Sequence, residues 1–429
     1  MERQSDIGRG INLVVLGAGS RGTSYARIAT GKFGARVVAV VDPDLTRRDV
    51  FARTFGVPES ACFDDWPELL AAPVPADAVV IATPDRLHEA PAIAFADKGY
   101  DILLEKPLAP KEDAARRMVE AAERNNVMMV VCHVMRYSSY TRELKAILDS
   151  GRIGRIVSVE HLEPIGWWHF AHSYVRGNWA READSSSMLL AKASHDADWL
   201  MHIVGRPVSK VSSFGGLYHF KPENRPANAA ERCLDCPLID TCAYSAPKIY
   251  RRFLGDPLGE RWPLAVLTPD VTEESVMEAL RTGPYGRCVY SGDNDVADHQ
   301  VVNLEFDDGA TASMTVSAFT PLDFRKTRIM GTLGMITGDG RSLLIDDFVT
   351  AASETLDTAR PGGASAADGH GGADDELVSV FLQALHARRA AGTDGVAVDS
   401  GARVSFASHR LVWAAEEARK AGVVVSLSE

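Results

Sequence analysis

Residues 12–22, Asn-Leu-Val-Val-Leu-Gly-Ala-Gly-Ser-Arg-Gly, decide the fold. The apolar run predicts a buried strand, and Gly17, Gly19 and Gly22 then open a helix in the spacing G-x-G-x-x-G. Each glycine has its own physical task. Gly17 permits a tight turn, Gly19 admits a pyrophosphate close to the backbone, and Gly22 lets helix and strand pack closely. Ser20 and Arg21 follow at the helix N-terminus, where free backbone amides face a phosphate. A second apolar run, RVVAVVD, ends in Asp42, about 20 residues on, where a carboxylate can accept hydrogen bonds from ribose hydroxyls. Asp42 would also repel a 2′-phosphate, which favours NAD over NADP, although Arg47 and Arg48 partly offset that repulsion. A glycine turn that has lost its cofactor is the plainer alternative.

Outward from this turn, the runs DAVVIAT, DILLEK and VMMVVCH alternate with segments of helical period as far as His133, the pattern of a parallel sheet with crossover helices. Residues 1–133 are therefore expected to form a Rossmann domain. Later strands, such as RIVSVEHLEP and HQVVNLEF, alternate in hydrophobicity. They predict an α+β domain over 134–429 with a large, mostly antiparallel open sheet, and the chain as a whole is α/β. Helices are expected at 186–204, 376–391 and 401–420, the last pair packing back on the Rossmann domain. The glycine-rich segment Arg360–Asp375 is expected to be a loop.

The chain has 429 residues, 46% of them hydrophobic, enough for two domains with sizeable cores. A formal net charge of −12 offers nucleic acid or anionic lipid no general attraction, and no basic run or long apolar stretch changes that. A cytoplasmic protein is expected, with neither a nucleic-acid nor a membrane partner.

At Ala82-Thr83-Pro84 with His88, followed by Glu105-Lys106-Pro107, the sequence resembles the Gfo/Idh/MocA family of NAD(P)-dependent sugar and polyol oxidoreductases. The segments TRIMGTLGMITGDG (327–340) and SHDADWLMHIVG (194–205) extend the likeness over nearly the whole chain. The resemblance implies that Thr83, Pro84, His88, Glu105 and Lys106 line the cofactor, and that Lys106 and His195 are the chemical pair. His195 would take the hydroxyl proton while hydride leaves, and Lys106 would steady the developing alkoxide. The family's open sheets also imply a homodimer or homotetramer. One departure stands out: the family usually has an aspartate four residues before the histidine, where this chain has Ala191, with Lys192 beside it. A carboxylate exchanged for an ammonium would suit an anionic substrate. The plainer readings are that Lys106 only binds cofactor, that His195 only packs its helix, and that Lys192 is solvated.

Upstream, GWWHFAHSYVRGNWARE concentrates aromatic and polar side chains suited to a sugar. Trp168, His169, Arg176 and Asn178 are the substrate candidates there, with His133 and Arg136 after the last Rossmann strand. Trp179 is a further cofactor candidate. RCLDCPLIDTCAYSA supplies Cys233, Cys236 and Cys242, and GRCVY supplies Cys288, in a Cys-rich insert at about 222–290. Four thiolates without an open position would make a structural zinc site, with iron–sulfur binding and unligated thiols as the rivals.

Three functions are compatible with these residues. The first is an NAD-dependent oxidoreductase acting on a pyranose, polyol or sugar acid, with an anionic pyranose favoured. The second is a glycoside hydrolase that uses bound NAD without net consumption, for instance on a sulfonated glycoside such as a sulfoquinovoside. The third is a catalytically silent NAD-binding sensor.

Overall fold

The computed structural model describes residues 7, 10–358, 370–391 and 398–427, so residues 360–369 of the expected glycine-rich loop lie outside the described residues, while its end is not loop: a short turn, His370–Gly372, leads into the helix Ala373–Ala391. The chain divides into two compact units, one of residues 1–142, 197–199 and 371–413, the other of 143–196, 200–370 and 414–429.

The first unit is built on six parallel strands: β1 (Asn12–Leu16), β2 (Arg36–Val41), β3 (Cys62–Phe63), β4 (Ala78–Ile81), β5 (Asp101–Leu104) and β6 (Met129–Val131). They lie in the order β3-β2-β1-β4-β5-β6. β1 and β4 are buried almost throughout, as expected for strands covered on both faces, which explains their continuous apolar runs. Strand order reverses between β1 and β4, and in open parallel sheets ligands bind beyond the carboxyl ends at such a switch point. Leu377, Phe381 and Leu385 of the helix Ala373–Ala391 belong to this unit's core.

The second unit carries a nine-stranded mixed sheet. Its strands are β7 (Ile156–Pro164), β8 (Val208–Gly216), β9 (His299–Phe306), β10 (Thr311–Ser317), β11 (Lys326–Gly331), β12 (Gly334–Gly338), β13 (Ser342–Asp347), β14 (Ala352–Asp357) and β15 (Val425–Ser426). The order is β14-β13-β12-β11-β7-β10-β9-β8-β15, antiparallel except for the β7–β10 pair. Burial alternates along β9 and β10, so one face is covered and the other open. The helix Met188–Val204 starts at Ser187, whose side chain accepts from the Leu190 amide, and ends at left-handed Gly205. Among the described residues, no helix is long and apolar enough to cross a membrane.

Candidate active site

The glycine turn has the geometry its spacing predicts. Gly17 adopts φ +93°, and a Cβ there would lie 2.5 Å from the Ala82 carbonyl oxygen; at Gly22 a Cβ would lie 1.9 Å from the Gly17 oxygen. Neither position has room for a side chain. A Cβ on Gly19 meets nothing within 4 Å, so this is the open side on which a pyrophosphate can approach. The helix Ser20–Phe33 has no side-chain cap and no acidic residue in its first turn, leaving its amides for an anion. Asp42 follows β2 directly and is almost fully buried, and its carboxylate accepts from the Ala18 amide at 2.9 Å and the Asp44 amide at 2.9 Å. These residues fit NAD.

Two further loops reach the same sheet edge, Thr83-Pro84 after β4 and Glu105-Lys106-Pro107 after β5, the latter with a cis Lys106–Pro107 bond. His88 ties them together: one ring nitrogen lies 2.9 Å from the Thr83 carbonyl oxygen and the other 2.9 Å from that of Pro107. This corrects its expected place among the cofactor contacts, because the side chain is fully buried between the loops. Arg21 is likewise committed. Its guanidinium donates to Glu105 at 2.7 Å and to Asp374 at 2.7 Å, so its side chain braces the E-K-P loop rather than offering a free phosphate contact. Burial pushes the Glu105 pKa up, but Arg21 and Lys106 beside it, with hydrogen bonds from Arg21 and Tyr25, hold it below the usual value. Beneath Lys106, the Leu108 amide donates to His409 Nε2 at 3.0 Å.

His133 and Arg136 also change role. Arg136 is buried and forks onto Asp198 with bonds of 2.6 and 2.7 Å, while His133 Nδ1 lies 3.7 Å from the same carboxylate with its ring fully buried. Neither is presented to a substrate. Both were expected to be ligands because they follow the last Rossmann strand; Asp198, which takes up the Arg136 guanidinium, is distant in sequence.

In the second unit, Lys192 and His195 are partly exposed on one helix, three residues apart. Lys192 is not a free ammonium, since its Nζ lies 3.1 Å from the buried Glu163 on β7. Arg325 completes a network that was not anticipated: its Nε lies 2.6 Å from Glu163 and 2.8 Å from Asp196, and Asp196 is also 2.9 Å from His161 Nε2. Burial alone would push the Asp196 pKa up, yet Arg325 and His161 hold it well below the usual carboxylate range. The signal lay in the alternation of β7, where His161 and Glu163 share the inward parity of Val159. Charge at an inward position demands a partner.

The aromatic segment divides. Trp168 is buried against Phe253 (4.8 Å between centroids) and Trp262 (5.3 Å), and His169 stacks edge-on to Trp262 at 4.8 Å, so the Trp168 ring is core rather than sugar platform. Arg176 is buried, donating to the Arg287 and Tyr244 carbonyls, each at 2.8 Å. It is corrected from a substrate contact to an interior residue. Asn178 is exposed, and Trp179 is 38% exposed.

The profile described as "Oxidoreductase family, NAD-binding Rossmann fold" matches residues 11–133, and that described as "Oxidoreductase family, C-terminal alpha/beta domain" matches 145–348. The chain belongs to the Gfo/Idh/MocA oxidoreductase family. This family member is 26% identical over 337 residues to the putative oxidoreductase YteT of Bacillus subtilis, covering 76% of each chain. It is 26% identical over 206 residues to 2,7-anhydro-N-acetylneuraminate hydratase of Mediterraneibacter gnavus, spanning 48% of this chain and 52% of that one. In fold it resembles levoglucosan dehydrogenase in complex with NADH and levoglucosan, with TM-score 0.70 and 19% identity over 97% of this chain and 99% of that one.

The cysteines depart from expectation. Cys233, Cys236, Cys242 and Cys288 are free thiols lining one cavity, but among the described residues no group of three or more His, Cys, Asp or Glu side chains is set to hold a metal ion. A single zinc needs every thiolate about 2.3 Å from one centre, and this Gfo/Idh/MocA chain does not gather them that closely. The zinc site is therefore not formed. Of the other two cysteines, Cys132 is buried and Cys62 is partly so.

Proposed function

We propose that this chain is an NAD-dependent oxidoreductase of a sugar or sugar derivative, removing hydride from a ring hydroxyl, with Lys106 and His195 as the chemical pair. The observation that carries this reading is the cradle: two glycines with no room for a Cβ, an open Gly19 and an uncapped helix start, beside a buried Asp42. NAD, when bound, supplies the hydride acceptor. His195 would take the hydroxyl proton, and Lys106 would hold the oxygen as charge develops on it. Asn178 and Trp179, both exposed, are the remaining polar and aromatic candidates from the segment before the helix.

The case for an anionic pyranose is weakened by the ion pairs. Lys192 and Arg325 face Glu163 and Asp196, so two cations meet two carboxylates, while Arg136 is spent on Asp198. No surplus positive charge is left for a sulfonate or carboxylate in this network. A neutral sugar or polyol is the substrate class we favour.

A second reading, redox-neutral cleavage of a glycoside by transient oxidation, is favoured by the likeness to the anhydroneuraminate hydratase. One experiment separates the two. The purified protein is incubated with NAD and a panel of neutral sugars, polyols, nitrophenyl glycosides and a sulfoquinovoside. NADH accumulating with product supports the oxidoreductase; nitrophenol or sulfoquinovose released without net NADH supports the second reading. Lys106→Ala and His195→Ala should each lower turnover by roughly 10²–10⁴-fold with NAD binding retained. Undiminished turnover in either variant removes that residue from the mechanism.

A further inference from the structure

The four cysteines excluded as a single-ion site are nevertheless brought together deliberately. Cys233 opens a short 3₁₀ turn, Cys233–Asp235, whose last carbonyl-to-amide bond returns from the Cys236 amide to the Cys233 oxygen at 3.3 Å. Arg232 and Arg287 form an isolated antiparallel bridge that Cys233 and Cys288 flank from the two segments, and the Cys288 amide is fixed on the Glu231 oxygen at 2.9 Å. Cys242 is held by its own amide on the Leu238 oxygen at 2.8 Å. Three separate backbone devices thus aim four thiols at one cavity of about 360 Å³, otherwise walled mainly by apolar and aromatic side chains.

Two more polar groups face the same space. Arg176 is 6% exposed and lines the cavity; its Nη2 lies 3.5 Å from Cys233 Sγ, and its Nη1 is buried with no hydrogen-bond partner among the described residues. Ser245 is 1% exposed, also lines the cavity, and its Oγ is buried without a partner. A buried guanidinium with an unmet donor beside thiols calls for an anionic occupant, since leaving such a donor unmet is costly. The cavity is about twelve times the ~30 Å³ share of one water molecule, far more than one metal ion fills.

We propose that this cavity houses a [4Fe–4S] cluster ligated by Cys233, Cys236, Cys242 and Cys288, with Arg176 donating to it. In such a cluster each thiolate binds a different iron, so the four sulfurs stand apart around a volume instead of converging on one point. All four of these cysteines line the one cavity. The thiolate-bound cluster is anionic, and the buried Arg176 supplies both counter-charge and hydrogen bonds to sulfur. The cluster's part is structural: it pins the Cys-rich segment within its own unit. The inference is independent of the hydride-transfer reading.

The test uses the full chain, purified anaerobically and then incubated with ferrous iron, sulfide and reductant. About four iron atoms and four acid-labile sulfides per chain are expected, with a broad visible thiolate-to-iron absorption band, as a [4Fe–4S] centre requires. Cys242→Ser should lose most of that iron, while Cys62→Ser, altering a cysteine of the other unit, should keep all of it. Arg176→Gln should keep the band but shift its reduction potential, a readout that a purely space-filling arginine would not move. Stoichiometric zinc without iron, or a colourless reconstituted wild-type protein with all four thiols open to a thiol reagent, overturns the proposal.

Discussion

Lys192 Nζ lies 3.1 Å from Glu163, so the lysine beside Ala191, the position where the family usually has an aspartate, meets a carboxylate from another strand instead. Glu163 also holds Arg325 at 2.6 Å, so one buried carboxylate serves two cations. Glu163→Gln keeps the shape and removes the charge. Breaking a buried pair costs roughly 3–5 kcal/mol, but Lys192 and Arg325 are 19% and 23% exposed, so a loss of about 1–3 kcal/mol is expected. Denaturant melts measure it. The double variant Glu163→Gln, Lys192→Met should recover part of the loss, and an unchanged midpoint for Glu163→Gln would show that the pair contributes nothing.

Gly19 discriminates binding from folding. Because a Cβ there meets nothing within 4 Å, Gly19→Ala should leave the melting temperature of the cofactor-free protein unchanged while weakening NAD binding by about tenfold or more, about 1.4 kcal/mol or more. Gly22→Ala, whose Cβ would lie 1.9 Å from a carbonyl oxygen, should instead unfold the first unit. Isothermal titration with NAD, run beside thermal melts, reads both effects. Equal NAD affinity in wild type and Gly19→Ala would move the pyrophosphate elsewhere.

Asp42 should set the cofactor preference. Arg47, 56% exposed on its side chain, lies 3.7 Å from this carboxylate and stands ready for a 2′-phosphate once the negative charge is gone. Asp42→Asn retains an acceptor for the Ala18 amide. The ratio of NADP to NAD affinity should rise by about tenfold, roughly 1.4 kcal/mol. A ratio that stays fixed would mean that another group reads the ribose.

Acid should destabilise the first unit through its buried histidines. Burial holds the His133 pKa down to about 4 and that of His409 to about 3, against an ordinary value of 6.5. Both rings are therefore neutral when folded and protonated when unfolded below pH 6.5. The stability linked to them is complete above that pH and drains away as the pH falls towards 4 and then 3, at up to about 1.4 kcal/mol per pH unit for each group. His409 shows why: its Nδ1 lies 2.7 Å from the Ser405 oxygen and its Nε2 accepts from Leu108, leaving no lone pair for another proton. His409→Gln should flatten the dependence of unfolding free energy on pH between 6.5 and 4. A slope identical to wild type would transfer the acid sensitivity to other groups.

Much of the nucleotide site was legible in the sequence because its signals are local. Gly17 and Gly22 need their conformations within one strand–turn–helix unit, and Asp42 stands one repeat later, so spacing alone aligns them with the strand ends. The alternating strands of the second sheet were equally visible. His88, Arg21, His133, Arg136, Arg176 and Trp168 had the residue types of ligand contacts but not the surroundings. Type and chain position say nothing about whether a side chain points into a loop junction, an ion pair or an aromatic core.

What the sequence by itself determined is the parallel sheet, the glycine cradle and the placement of Lys106 after β5, since hydrophobic period and glycine spacing act over a few residues. Only the tertiary structure decided which charges are free. Arg21 meets Asp374 across 353 residues, Arg136 meets Asp198 across 62, and Lys192 meets Glu163 from another element. A buried charge must find a counter-charge wherever packing brings one, and packing is a property of the folded chain rather than of neighbouring residues.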